Sequence, residues 1–405
     1  MNVSYSLERG MKRTVLLVSA VILAAGSAYG QAGVAIPTWA KEARPITPAD
    51  IPAGDYAYIS SWIASHAEPA DQYFLEKAKR YDVVVFGEFH NVREHKEFII
   101  NLIPRLYHEA GVRCIGWEFS NPNEDADLER LVTVPQPNRE AVLNFGRRHL
   151  GSWNSEEHWA MIEAVRALNA SLPEGQPKMR FAGLDIPVDW HDLYTKIKTV
   201  AKGSPEGKEV QQWYESRDRI MADNAERATL ARGVKGVLFV GSGHDQTHLG
   251  APPDEPYRRP IMARLLHGRY PDRVFQVAGD GGQFPVAQRA MEALQHKVSG
   301  FDLHASPLAS VLSADMGSPE RTMGSLARGY VYFGSCQQLH GNTPVKGYVT
   351  DQMYAKYRTY FEIDFGVKLA TAREFDEYLQ GRNWRIRCPA PLSTLRLPPP
   401  PRTGS

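Results

Sequence analysis

The sequence predicts an α/β fold: a mostly parallel central sheet flanked by helices, with helical insertions capping the C-terminal strand ends. Three observations carry that expectation. Six stretches read as strands, DVVVFG (82–87), VRCIGWEF (112–119), MRFAGLDI (179–186), GVLFVG (236–241), RVFQVAG (273–279) and YVYFGS (330–335), and most are continuous apolar runs, the pattern of strands covered on both faces. Between the first two, Phe98, Ile99, Leu102, Ile103 and Leu106 fall at helical spacing with Gly111 near the helix end, which makes a strand, helix, strand unit. Two longer polar stretches, 120–178 and 187–232, read as helical excursions, among them DADLERLV, SEEHWAMIEAVRALNA and KEVQQWYESRDRIMADNAERATL.

The flanks read differently from this middle. Lys12 and Arg13 precede the apolar run TVLLVSAVILAAG, and Ser27-Ala28-Tyr29-Gly30 offers small residues where a signal peptidase cuts, so residues 1–30 read as a secretory signal, with Met11 an alternative start. The apolar run is shorter than the ~20 residues of a membrane span, and no cysteine follows it to carry a lipid. Residues 31–70, rich in Pro and Ala, read as an N-terminal extension, 71–388 as a single α/β domain, and 389–405 as a proline-rich tail that continues neither helix nor strand. The expected location is therefore periplasmic or secreted, with no stable membrane span after cleavage.

Forty-seven Lys and Arg against 46 Asp and Glu give a net charge of +1, which offers no electrostatic reason to expect a nucleic acid or an anionic membrane as partner. Cys114, Cys336 and Cys388 are an odd number with no CxxC spacing, so at most one pair bridges and a cysteine zinc site is a poor fit.

Chemistry gathers at the strand ends. Glu88, Glu118, Asp185 and His244 each close a predicted strand or fall just past it, and in open parallel sheets ligands bind outside the carboxyl ends of the strands. Glu88 and His90, two apart in an extended segment, project to one side, and a carboxylate beside an imidazole raises its basicity and fixes its tautomer. Asn91 and Glu94 have the spacing of a capping box. His95, one turn before Phe98 and Ile99, points either into the crevice as a substrate contact or into a core hydrogen bond. In VGSGHDQTHLG (240–250), Gly241 and Gly243 allow a tight turn; if 244–248 is helical, His244 and His248 share a face, as in a metal site or a base with its orienting partner. Arg217 and Asp218 lie on a predicted helix where spacing alone would leave Arg217 solvated or paired with its neighbour. No GxSxG, HExxH or GxxxxGK[ST] motif occurs, which argues against a serine hydrolase, a zincin and a P-loop enzyme.

Taken in order, GEFHNVREH, the strand ending in Trp117-Glu118, the run from Trp153 to Asn169, GLDI (183–186), RDRIMADN (217–224) and GSGH (241–244) resemble the erythromycin esterase-like superfamily with its ChaN haem-uptake and Tiki/TraB branches. The resemblance implies an α/β domain with a crevice of Glu and His. In the esterase branch a histidine is proposed to activate water without metal; Tiki members are described as metal-dependent peptidases; ChaN binds haem. Residue by residue, Glu88 and His90 match the GExH motif, Glu118 the acidic strand end, Arg217 the arginine of the helix motif and His244 the later histidine. Only Phe89 separates Glu88 from His90, whereas the esterases place two residues there, so the spacing is closer to ChaN.

The expected function is an exported hydrolase of ester, lactone or amide bonds acting on a small-molecule or peptide-like substrate. In it His90, oriented by Glu88, deprotonates water, Glu118 and His244 complete the acid/base set, and Arg217 stabilises charge on the carbonyl oxygen, with Asp185, His95 and His248 contacting substrate. A zinc, manganese or cobalt ion on His90, His244 and Glu118 is a variant of that expectation. The alternative is an exported haem or metal carrier of the ChaN type, and a third reading is a crevice that has lost activity and recognises a partner. Asp302, His304 and His340 have no assigned place.

Overall fold

The computed structural model describes residues 35–41, 45–136, 138–149, 155–246, 261–312, 322–381, 386 and 388. Residues 1–30, read from the sequence as a signal, the proline-rich tail, Trp153 and His248 lie outside the described residues. Eight strands form one sheet: β1 (Glu68–Pro69), β2 (Val83–Glu88), β3 (Cys114–Trp117), β4 (Arg180–Gly183), β5 (Gly236–Gly241), β6 (Val274–Gly279), β7 (Ser299–Phe301) and β8 (Gly329–Tyr332). Their spatial order is β1-β7-β8-β6-β2-β5-β3-β4. All neighbours from β8 to β4 are parallel, and only β7 runs antiparallel, to both β8 and β1. This is the α/β fold with a mostly parallel sheet that the apolar runs predict, each predicted strand appearing within about three residues of its expected bounds.

Both faces of the sheet are covered, which is why the strand sequences do not alternate in polarity. On one face Val84, Phe86, Ile115, Trp117, Val237 and Phe239 pack with Ile99, Leu102 and Ile103 of the Arg93–His108 helix and Ile162 and Val165 of the Glu156–Ser171 helix. On the other, Val83, Val85, Leu238 and Val240 meet Met221, Ala222 and Ala225 of the Pro205–Ala228 helix and Met262 and Leu266 of the Met262–Arg269 helix. A third cluster joins Ile59 and Ile63 of the Tyr56–His66 helix to Phe284, Phe301 and Tyr330, so part of the stretch 31–70 contributes to a core.

Leaving β2, the chain builds β3 and β4 to one side, returns to place β5 between β2 and β3, then puts β6 and β8 on the other side of β2. That reversal opens a crevice at the carboxyl ends of β2, β5 and β3, where Glu88 stands in register with Gly241. Between β3 and β4 lie the Asp125–Thr133, Arg139–His149 and Glu156–Ser171 helices, and between β4 and β5 the Trp190–Thr199 and Pro205–Ala228 helices; these are the helical excursions anticipated from sequence.

Candidate functional site

The Pro205–Ala228 helix, capped at its start by Ser204 with Pro205 in the first turn, carries one side chain set into the site. Arg217, Met221, Asn224 and Ala228 recur at spacings of four, three and four, so Arg217 lies on the buried face rather than in solvent. Its guanidinium grips Asp185 in two-pronged fashion, Nε to Oδ1 at 2.7 Å and Nη2 to Oδ2 at 2.9 Å, and Nη2 also donates to Glu118 Oε1 at 3.0 Å. Asn224, one face-neighbour away, donates to the carbonyls of Leu184 and Asp185 and so holds the loop that presents Asp185.

Glu118 accepts from the Gly241 amide at 2.5 Å and lies 3.2 Å from His244 Nε2, whose other nitrogen, Nδ1, is 2.8 Å from Asp218 Oδ1. Burial pushes the His244 imidazole down, and the Arg217 guanidinium, whose Nη1 lies 3.2 Å from Nε2, pushes the same way, but the Glu118 charge and the Asp218 hydrogen bond outweigh both and raise its pKa to about 9. Burial works against ionised Glu118 too, yet His244, His90 and Arg217 hold it well below the usual carboxylate range.

A second chain of contacts starts on β2. Glu88, with no solvent exposure, is bonded through Oε1 to His90 Nδ1 and accepts from Lys96 Nζ at Oε2, 2.9 Å away. Lys96 is itself fully buried, and its other donors reach the carbonyls of His90 at 3.0 Å and Val92 at 3.3 Å. Desolvation pushes Glu88 up, but the Lys96 and His90 charges win and bring its pKa down to about 2. The result is a directed series from ammonium to carboxylate to imidazole. His90 rests against the Phe119 ring and overhangs Gly241, where a Cβ would stand 2.6 Å from its Cε1, so only glycine fits beneath it.

His90, Glu118, Asp185 and Arg217 line a cavity of about 600 Å³. Glu88, Lys96, His244 and Asp218 stand behind them as a supporting layer. The same cavity is lined by Ile186, Pro187 and Val188 after β4, Tyr194 of the Trp190–Thr199 helix, and Lys356, Tyr357 and Tyr360 of the Asp351–Phe365 helix.

Three expectations need correction. His95 is not a cavity residue: fully buried, it accepts the Phe89 amide at Nδ1, 3.0 Å away, and reaches the Asp280 carbonyl with Nε2 at 3.1 Å, a core histidine whose pKa burial lowers to about 4. Asn91 and Glu94 form no capping box, because the helix begins after Val92 with no side-chain cap, and Glu94 instead accepts the His340 amide at 3.0 Å. His244 sits in a turn rather than a helix, so a shared helical face with His248 does not arise within the described residues. Asp302 bonds Tyr73 and Lys77, and His340, two-thirds exposed, pairs with Glu94; neither lines the cavity, nor does His304.

The expected metal set does not fit this geometry. Among the described residues no group of three or more His, Cys, Asp or Glu side chains could hold an ion. Glu118 and Asp185 are committed to the Arg217 cation and both His244 nitrogens to carboxylates, so a dication would have to displace a guanidinium.

Sequence reasoning missed Lys96 and the tyrosine wall. Lys96 was findable, since Lys96, Ile99, Ile103 and Leu106 lie at helical spacing on the buried stripe, and a lysine there needs a buried acid.

The chain matches no family model and no curated protein. Among solved structures, a succinoglycan biosynthesis protein superposes with a TM-score of 0.53 at 13% identity, covering 72% of this chain and 99% of that one. An erythromycin esterase mutant, EreC in its open conformation, gives 0.45 at 12% identity over 68% and 94% of the two chains. ChaN of Campylobacter jejuni with cofacial haem gives 0.33 at 16% over 53% and 88%. The likeness shows the fold, and the erythromycin esterase and ChaN proteins that the motifs resemble are both among the solved structures this chain matches.

Proposed function

We propose that this protein is an exported hydrolase of ester, lactone or amide bonds that activates water with His90. The observation that carries this reading is the buried Lys96, Glu88, His90 series, ending at the cavity wall. Burying a lysine and a glutamate costs several kcal/mol each before pairing, and the pair's product here is an imidazole of fixed tautomer. With Nδ1–H given to ionised Glu88, Nε2 takes the proton from a water. That water's oxygen bonds to the carbonyl carbon, and the negative charge arising on the carbonyl oxygen falls to Arg217, held rigid by Asp185 and Glu118. As the bond to the leaving oxygen or nitrogen breaks, His90 returns the proton to it. His244 acts as a positioning residue: its imidazolium keeps Glu118 ionised and aligned on Arg217.

Export is supported by the basic then apolar N-terminus and by the Cys336–Cys388 disulfide, a bond that persists in oxidising compartments. No helix among the described residues is long and apolar enough to cross a membrane.

The test is a panel of neutral esters, lactones and amides assayed with the wild type and His90→Ala, alongside circular dichroism, thermal melting, a visible spectrum and elemental analysis. The expected outcome is at least ~10³-fold lower kcat/KM in His90→Ala with an unaltered melt. Retained turnover in the variant rejects the role of His90. A Soret band or stoichiometric iron in the purified protein, without turnover, carries the haem-carrier reading instead.

A further inference from the structure

Phe89 is the single residue between Glu88 and His90, so the peptide planes on either side of it set how the carboxylate and the imidazole meet. The fold pins both planes. The Glu88 carbonyl takes the Ser242 amide at 2.8 Å, the Phe89 carbonyl takes the Val92 amide at 2.8 Å, and the Phe89 amide donates to His95 Nδ1 at 3.0 Å. The first two partners are backbone amides of neighbouring turns. The third is a side chain, which a substitution can remove.

His95 and Lys96 are consecutive near the start of the Arg93–His108 helix and serve the pair in different ways. Lys96 holds the Glu88 carboxylate and the His90 carbonyl, whereas His95 holds the link between them. A backbone amide only donates, so Nδ1 of His95 is bare and its proton sits on Nε2, which donates to the Asp280 carbonyl at 3.1 Å. Asp280 is a firm anchor: its amide donates to the Val331 carbonyl, Oδ1 accepts the Gly282 amide and Oδ2 accepts Gln288 Nε2, each at 2.8 Å. His95 is thus a strut from the end of β2 to the ends of β6 and β8. Its ring lies 4.7 Å from that of Phe333 and fills the space over Gly279, where a Cβ would stand 3.0 Å from Cε1. Burial outweighs the Glu88 charge and holds the His95 pKa down at about 4, so the ring is a neutral acceptor for the Phe89 amide at neutral pH.

We propose that His95 is a positioning residue for His90: by holding the Phe89 amide it keeps His90 Nδ1 on Glu88, and with it the proton off Nε2, the nitrogen that takes a proton from water. The effect on turnover rests on the hydrolase reading; the effect on the His90 tautomer does not.

Two near-isosteres separate the two bonds of His95. Asparagine places an acceptor where Nδ1 is and falls short of Asp280; glutamine places a donor where Nε2 is and leaves the Phe89 amide without an acceptor. Each variant gives up one hydrogen bond, so a purely structural His95 would give equal melts and equal turnover. The proposal expects His95→Asn to keep kcat within about threefold of wild type and His95→Gln to lose about thirty- to hundredfold, with KM moving less than about twofold in both. Nitrogen NMR of the His90 ring on the same proteins reads the tautomer directly. The share with its proton on Nδ1 is expected to match wild type in His95→Asn and to fall by at least about half in His95→Gln. Equal kcat and equal tautomer shares in the two variants overturn the proposal, and so does a loss confined to KM. If His95→Gln does not fold, Gly279→Ala replaces it: the added methyl crowds Cε1 and Nε2 and shifts the ring while both nitrogens remain. That variant is expected to lower kcat about tenfold and to change the tautomer share, and wild-type values of both overturn the proposal. A tautomer that follows the Phe89 bond in a protein that turns over no ester rejects the hydrolase and leaves the strut standing. Turnover that is alike in His95→Asn and His95→Gln does the reverse.

Discussion

At the scale of single residues, the strongest commitment in the molecule is the buried ammonium of Lys96 against Glu88. Removing one partner of a buried pair costs more than the pair contributes, because the other charge is left without compensation. Lys96→Met is therefore expected to destabilise the protein by about 3–5 kcal/mol and to cut turnover, as Glu88 takes up a proton and stops orienting His90. The double variant Lys96→Met with Glu88→Gln is expected to regain much of the melting temperature but none of the activity. A denaturant melt and one ester assay on both proteins check this, and a double variant with restored turnover would show that the series is structural only. The same residues show what the sequence made legible. Glu88, Glu118, Asp185 and His244 were readable because each sits at the end of an apolar run, where a charge has few bland explanations. Arg217 was not readable from type or spacing to its neighbours, but its stripe with Met221, Asn224 and Ala228 marks it once helical period is applied to polar residues as well as apolar ones. His95 misled because a histidine on a buried stripe close to a site looks the same in sequence whether it turns to the cavity or to a core carbonyl.

At the scale of elements, the six parallel strands were legible because both faces are buried, and β1 and β7 were not. They span two and three residues, Glu68–Pro69 and Ser299–Phe301, too few for any period to register, and they exist through pairing with each other and with β8. Nor was the segment from His340 to Thr343 legible as part of the site. It wraps the His90 loop: the Arg93 backbone amide donates to the His340 carbonyl at 3.0 Å, Gly341 bridges Val92, and Asn342 Nδ2 donates to the His90 carbonyl at 2.6 Å. No sequence period links positions 250 residues apart; only the fold brings them together. Because Lys96 holds that same carbonyl, Asn342→Ala should leave the loop in place but looser, costing about 1 kcal/mol of stability and about tenfold in kcat with KM little changed. Steady-state kinetics on a substrate turned over by the wild type decide it. A change confined to KM would mean that the segment shapes the cavity and does not steady the base.

At the scale of the whole molecule, the site is also a joint, since Glu118, Arg217, Asp185 and His244 tie together the ends of β3 and β4, the Pro205–Ala228 helix and the turn after β5. Its protonation states therefore enter global stability. His244 has a folded pKa of about 9 against an ordinary 6.5, so the fold binds its proton more tightly than the unfolded chain does. That contribution is complete below pH 6.5 and is lost as pH rises through 9. Glu88 runs the other way: with a folded value of about 2 against 4.5, its contribution is complete above pH 4.5 and is lost as pH falls through 2. Stability from these two groups is thus greatest between pH 4.5 and 6.5. Buried Asp280, pushed up to about 7 from 3.8, adds a decline over that lower interval, so the limb belonging to His244 is read above pH 7. Between pH 7 and 10 the unfolding free energy of the wild type is expected to fall by about 2–3 kcal/mol more than that of His244→Gln, which has no proton to lose there. Urea melts of the two proteins at half-unit intervals measure the difference. Parallel curves would mean that His244 is neutral in the fold, which would leave Arg217 and the Gly241 amide, without the imidazolium, to hold Glu118 ionised and aligned.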